Sequence, residues 1–379
     1  MSAPTPATAL ADRPHLSVGG RQIPVVLPSR RDPRLHLAVV LLTVQVLGQT
    51  VLNFKLSIAQ ILVSIATAAA IELAVTVRRD GMLVWPASAM LTGNSVALLL
   101  RATGTEYGDW WSLNGIGYFI AAVTLAMASK YLIRPAGRHV FNPSNLGLVW
   151  VLLVVGPAGV FPQYLWWGPL GLPVAAALVV IVAGAVWVLR QVKMAAMAAA
   201  FTATFAVLIG VFAAAGQSFW AIWHPVPVTG AFYWVNVVLS PEVLIFVFFM
   251  MSDPATAPRT PRGRIWFGML TAVLAAALVY PQPTEFGVKL AILSSLTVTC
   301  AVVPFIDRAA RRRERGEEAL QISADPRPAL GRLAAAARRP AVIAAVIIAV
   351  AAPLDTLSLA DDEHLILIER GVSGDPNPQ

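Results

Sequence analysis

Residues 250–264 read Met250-Met251-Ser252-Asp253-Pro254-Ala255-Thr256-Ala257-Pro258-Arg259-Thr260-Pro261-Arg262-Gly263-Arg264. One carboxylate, three prolines and three arginines here directly follow the apolar run Val243 to Met251. Proline has no N–H donor and a fixed φ, so this backbone cannot continue as helix. Within a bilayer each freed backbone group needs a partner from the protein itself. The stretch therefore marks the end of a membrane helix, and its neighbours in space must satisfy it.

Working outward, the whole chain fits that setting. Its 379 residues are 57% hydrophobic and 13% charged, with a mean hydropathy of +0.70, more apolar surface than one globular core buries. The net charge of +8 does not point to nucleic acid, because the bases fall in short clusters between apolar runs. Cys300 is the lone cysteine, which excludes disulfides, Cys-ligated zinc, iron–sulfur clusters and CxxC redox chemistry within this chain. The five histidines are not paired across mid-membrane as a bis-histidine haem would require. They read as interfacial polar residues, and neither a metal site nor a soluble-enzyme motif is found.

The fold class that follows is an all-α integral membrane protein of ten transmembrane helices. Spans are expected at 35–53, 56–77, 82–100, 115–133, 141–160, 165–189, 195–215, 232–251, 265–280 and 287–306. Arg and Lys test that register, because they gather on the cytoplasmic side. Arg78 and Arg79, then Lys130, Arg134 and Arg138, then Arg190 and Lys193, then Arg259, Arg262 and Arg264, then Arg308 and Arg311 to Arg313 all fall on one side. The alternate connections are nearly free of Lys and Arg and carry Trp110, Trp111, Trp166, Trp167, Trp220 and Trp223, as an interfacial aromatic belt would. The chain divides into a flexible cytoplasmic tail (1–33), the membrane domain (34–307), a basic linker (308–339), an eleventh apolar helix (340–354) and an acidic tail placed outside the cell membrane (355–379). At about 15 residues the eleventh helix is short for a span of roughly 20, so an interfacial helix is its alternative.

Two spans read as broken. Small and polar residues from Pro86 to Ser95 interrupt the third, and Phe141-Asn142-Pro143-Ser144-Asn145-Leu146-Gly147 opens the fifth. Pro143 to Leu148 is echoed by Pro283-Thr284-Glu285-Phe286-Gly287-Val288, entering from the other side, as two inverted five-helix repeats would give.

Three blocks carry a family resemblance. Ser88-Ala89-Met90-Leu91-Thr92-Gly93-Asn94, then Gly137-Arg138-His139-Val140 through Gly147, then Ser252-Asp253-Pro254-Ala255-Thr256-Ala257-Pro258 with Pro261 to Gly268 occur in one order and spacing. Over about residues 53–307 the chain resembles the B subunit of the sodium-pumping NADH:quinone oxidoreductase and the D subunit of the Rnf complex. The resemblance implies a flavin-holding subunit of a larger redox complex that moves Na⁺ or H⁺. That family attaches FMN to a threonine in a Ser/Asp-Gly-Ala-Thr loop, whereas the nearest match here, Thr229-Gly230-Ala231-Phe232, has no hydroxyl at the acceptor. Non-covalent FMN or riboflavin, or a quinone, is therefore expected instead of covalent FMN. The linker and tail resemble the UnbU-like membrane proteins of enediyne biosynthesis, which would make the partners biosynthetic ones. A small-molecule or ion transporter on the same repeat fold, or a membrane anchor for such a complex, are the competing functions.

No catalytic residue is assigned. The cofactor-binding candidates are Thr92, Gly93, Asn94, Asn142, Pro143, Asn145, Asp253 and Thr256. Each has a structural alternative: Asn142 and Asn145 as caps of a half-helix, Thr92 to Asn94 as close helix packing, and Asp253 as a helix terminator or a partner of Arg259, Arg262 or Arg264. Glu242 and Glu72 are the candidates for proton or ion relay, since a carboxylate inside a span is functional by default, although Glu72 can snorkel toward Arg78 and Arg79. Lys289 reads as snorkelling to its interface.

Overall fold

A computed structural model describes residues 14–18, 21–29, 32–134, 137–163 and 171–314. Its helices are α1 (Pro33–Thr50), α2 (Ile58–Asp80), α3 (Ala87–Leu99), α4 (Ile116–Leu132), α5 (Pro143–Val155), α6 (Leu172–Val192), α7 (Ala195–Ala214), α8 (Gly230–Val238), α9 (Pro241–Ile245), α10 (Pro261–Val279) and α11 (Glu285–Glu314). The fold is that of an all-α membrane protein. Among the described residues six helices are long and apolar enough to cross a bilayer, counting α8 and α9 with the π-helical turn Phe246–Met250 as one, and α3, α4 and α5 are apolar but shorter.

One local device starts four of these helices. Asp32, Asn142, Ser240 and Thr260 each precede a proline, and each side chain accepts a hydrogen bond from a backbone N–H of the first turn. Proline at the first helical position loses no hydrogen bond there and has the right φ, while the capping oxygen satisfies an orphan donor. Helix α2 uses a full capping box of Ser57 and Gln60 and ends on Gly81 at φ 64°, a left-handed turn that glycine adopts without strain.

Packing falls into two matching sets. In the first, α2 packs on α3 and α4, α4 on α5, and α1 on α3; in the second, α7 packs on α8 and α10, α10 on α11, and α6 on α9. The sets meet through α1 against α6 and α5 against α11. Gly147 of α5 has no room for a Cβ, which would fall against the Ala122 carbonyl of α4, so the backbones approach as small residues allow in membranes. Outward faces carry Val46, Val179, Val207 and Val273, suited to lipid.

Several expectations are corrected. The third span is not broken between Pro86 and Ser95: α3 begins at Ala87 and runs unbroken through Asn94, because Pro86 lies before its first turn. The chain turns extended later, at Leu100–Ala102, which pairs antiparallel with Val160–Pro162, so each strand satisfies the other's backbone. The eighth span, read as smooth, is interrupted at Leu239 and Ser240 between α8 and α9. Residues 15–18 and 21–26, read as part of a flexible tail, form the antiparallel strands His15–Val18 and Arg21–Val26, the second of which pairs with Leu83–Val84. The expectations for residues 315–379, including the eleventh helix and acidic tail, lie outside the described residues.

A polar cavity at the basic end and a buried charge group

At the end of the bundle carrying the basic connections, the Ser252-to-Pro258 turn is held by a residue far away in sequence. Arg138 donates from Nε to the Ala255 carbonyl at 3.1 Å, and from Nη2 to the carbonyls of Ala255 at 2.6 Å, Pro254 at 3.1 Å and Ala257 at 3.2 Å. Asp253 folds the same turn from within: its Oδ1 accepts from Ala255 N at 2.9 Å, and its carbonyl accepts from the N–H groups of Thr256 and Ala257. Its other oxygen faces His139 Nε2 at 3.7 Å. The expected pairing of Asp253 with Arg259, Arg262 or Arg264 is not formed. Arg264 instead donates to the carbonyls of Pro258 and Lys193, and the Arg259 N–H donates to Asp307.

Asn142 joins the two motifs. Its Nδ2 donates to the Met250 carbonyl at 3.0 Å, and its Oδ1 caps α5 through Asn145 N at 3.1 Å. A cavity of about 440 Å³ opens beside it, bordered by Asp32 and Arg34, by Ser88 and Thr92, by His139, Asn142 and Pro143, and by Ser252, Asp253 and Phe249. Its apolar wall is Leu37, Leu91, Val188 and Val192. The volume lies within the roughly 300–1,000 Å³ of small-molecule sites. A second cavity of about 400 Å³ borders Arg138, Thr256, Cys300 and Asp307 and shares His139 and Ala255 with the first.

The candidates thus separate. Thr92, Asn142, Pro143 and Asp253 meet at the larger cavity and Thr256 at the smaller, whereas Gly93, Asn94 and Asn145 border neither. Gly93 presses on the Ser64 backbone. Asn94 accepts from Gln45 Nε2 at 3.3 Å, and Asn145 ties α5 to α11 by donating to the Leu293 carbonyl at 2.9 Å and Thr297 Oγ1 at 2.8 Å. Arg138, His139, Ser88, Asp32 and Arg34 were missed as site residues. For His139 the adjoining Phe141-Asn142-Pro143 motif was the available signal.

Charge at the cavity is largely self-compensated. Asp32 binds Arg34 through Nε at 3.0 Å and Nη2 at 2.6 Å, and that side-chain hydrogen bond holds the Asp32 carboxyl below its ordinary value against the opposing effect of burial. Glu72 does not snorkel to Arg78 and Arg79. Lys130 of α4 reaches it at 2.6 Å and also donates to Ser88 Oγ at 3.2 Å.

Glu242 lies elsewhere, in the first turn of α9 and fully buried. Lys289 does not snorkel either; it is fully buried and ion-paired with Glu285. A helix N-terminus favours a carboxylate by about 0.3–1 kcal/mol, up to ~2 when buried, whereas taking an unpaired carboxylate out of water costs several kcal/mol. Burial therefore decides the chemistry of Glu242.

Residues 164–316 match the NQR2, RnfD, RnfE family model. That stretch is similar to this family. The match takes in the Ser252-to-Pro258 turn, Glu242 and all of α11, and leaves Asn142 outside it. Among curated proteins, the ion-translocating oxidoreductase complex subunits D of Haemophilus influenzae strains PittEE and PittGG are each 37% identical over 82 residues, which is 22% of this chain and 22% of the relative. The chain thus spans about a fifth of the length of the curated relatives it matches.

Proposed function

We propose that this chain is a membrane subunit of an ion-translocating oxidoreductase complex, and that its larger basic-end cavity holds an uncharged redox-active ring, riboflavin or a quinone, without a covalent bond. The carrying observation is that Asn142 and Asp253, from two motifs far apart in sequence, border one cavity with an apolar wall and balanced charge. Such a ring, when bound, supplies the electron transfer. Leu37, Leu91, Val188, Val192 and Phe249 would face its plane, and Ser88, His139 and Asn142 its polar edge. The residues suit FMN less well. The Arg34 charge is already balanced by Asp32, and the Asp253 carboxylate at the cavity would repel a phosphate. Phe232 at the position of an acceptor threonine argues against covalent attachment.

In this reading α1–α5 and α6–α11 are inverted repeats, which their matching packing supports, and the basic end faces the cytoplasm. Other subunits of the complex bring electrons to the cavity and take them away.

The test is the visible spectrum of the full chain purified in detergent, with titration of riboflavin and of a short-chain quinone followed by fluorescence. One of the two rings should be present or bind, and Asn142→Leu should weaken it at least tenfold. Neither ring present, and neither bound on titration, would overturn the reading.

A further inference from the structure

Away from that cavity, three charged side chains from two helices are fully buried. Glu285 begins α11, and Lys289, one turn later, pairs with it; they are 1% and 0% exposed. Glu242 of α9 is 0% exposed, and neither of its carboxylate oxygens has a hydrogen-bond partner among the described residues. Lys289 and Glu285 are the charged groups that act on it. The Phe161 ring lies 5.5 Å from the Lys289 Nζ, and the Arg101 guanidinium lies 5.2 Å from the same ring. Glu285 engages the Lys289 ammonium, and no ion pair from Lys289 reaches Glu242 among the described residues. A negative charge on Glu242 would be left buried without a partner, the costliest state for such a group.

We propose that Glu242, Lys289 and Glu285 form a site that binds one exchangeable proton, carried on the Glu242 carboxyl while Lys289 pairs with Glu285. Uptake makes one O–H bond at Glu242 at the expense of one hydronium ion, and release returns the proton to water. On release Lys289 is the charge that steadies the Glu242 carboxylate. A proton fits better than a metal cation for two reasons. The Lys289 ammonium beside the site repels a second fixed cation, and hard cations gather about six oxygen ligands. Ser240, the nearest hydroxyl in sequence, is occupied in donating to the Val237 carbonyl. The interruption at Leu239 and Ser240 places non-helical backbone beside Glu242. The site does not depend on what occupies the basic-end cavity.

Infrared spectroscopy of the full chain in detergent, in H₂O and D₂O, tests this. The wild type should show the C=O stretch of a protonated carboxylic acid that shifts in D₂O. The isosteric Glu242→Gln, its fold verified by circular dichroism, should lose that band. Lys289→Met should roughly double it, because Glu285 then needs a proton of its own; should that variant not fold, Glu242→Gln alone decides. Absence of the band from the wild type, its persistence in Glu242→Gln, no gain in a folded Lys289→Met, or its removal by added Na⁺ at constant pH would each overturn the proposal, the last by identifying a metal-cation site.

Discussion

Arg138→Ala removes the clamp on the turn that follows the π-helical segment. The guanidinium makes four contacts with three carbonyls, but Nη2 has only two protons, so about three hydrogen bonds form at once. Hydrogen bonds to charged groups contribute about 1.5–3 kcal/mol each. Arg138 is only half-buried, and water replaces part of that, leaving a loss of ~2–4 kcal/mol. Local opening of the turn should then become roughly 30- to 1,000-fold more frequent. Hydrogen exchange reads this directly, because the N–H groups of Ala255, Thr256 and Ala257 are all bonded to Asp253. Their protection should fall by that factor while amides in the middle of α7 hold theirs. Lysine presents a single ammonium that cannot span three carbonyls, so Arg138→Lys should recover only a small part. Exchange within about threefold of wild type in Arg138→Ala, or full recovery with lysine, would refute the clamp.

Two further outcomes follow from the same geometry. Lys130→Met strips the partner from Glu72, whose side chain is 12% exposed; somewhat below the ~3–5 kcal/mol of a fully buried pair, the loss should be ~2–3 kcal/mol by thermal unfolding, and adding Glu72→Gln should restore most of it. The Asp32 carboxyl is depressed in the folded chain by its bond to Arg34, so its contribution is present above the unfolded carboxylate value of about 4 and fades as pH falls below it. Asp32→Asn should therefore be less stable than wild type at pH 7 by ~0.5–1 kcal/mol, with the difference shrinking as pH falls through the depressed folded-state value; a difference that grows on acidification would contradict this.

Much of the architecture is written in single segments. Apolar length, the bias of Arg and Lys to alternate connections, and the Asp32-Pro33, Asn142-Pro143 and Thr260-Pro261 pairs each act within one helix or its ends, so the sequence alone determined an all-α membrane fold and most helix starts. Ser240-Pro241 carried the same signal and was read through as helix, because its flanks are apolar on both sides. What only the tertiary structure decided is which polar groups meet. Arg138 and Ala255 are 117 residues apart, and no local rule pairs them. Asn145 looked like a ligand group yet ties two helices together, and Lys289 looked like a snorkelling cation yet lies enclosed with Glu285. The physical reason is that lipid offers no hydrogen bonds: each polar side chain must find its partner within the protein, and for groups such as Asn145, Lys130 and Glu72 that partner is on another helix. That partner depends on how the helices pack, not on the span that carries the residue. The stretch from Ser252 to Pro258 shows both halves, since its prolines announce the end of a helix while Arg138, His139 and Asn142 determine what that end can hold.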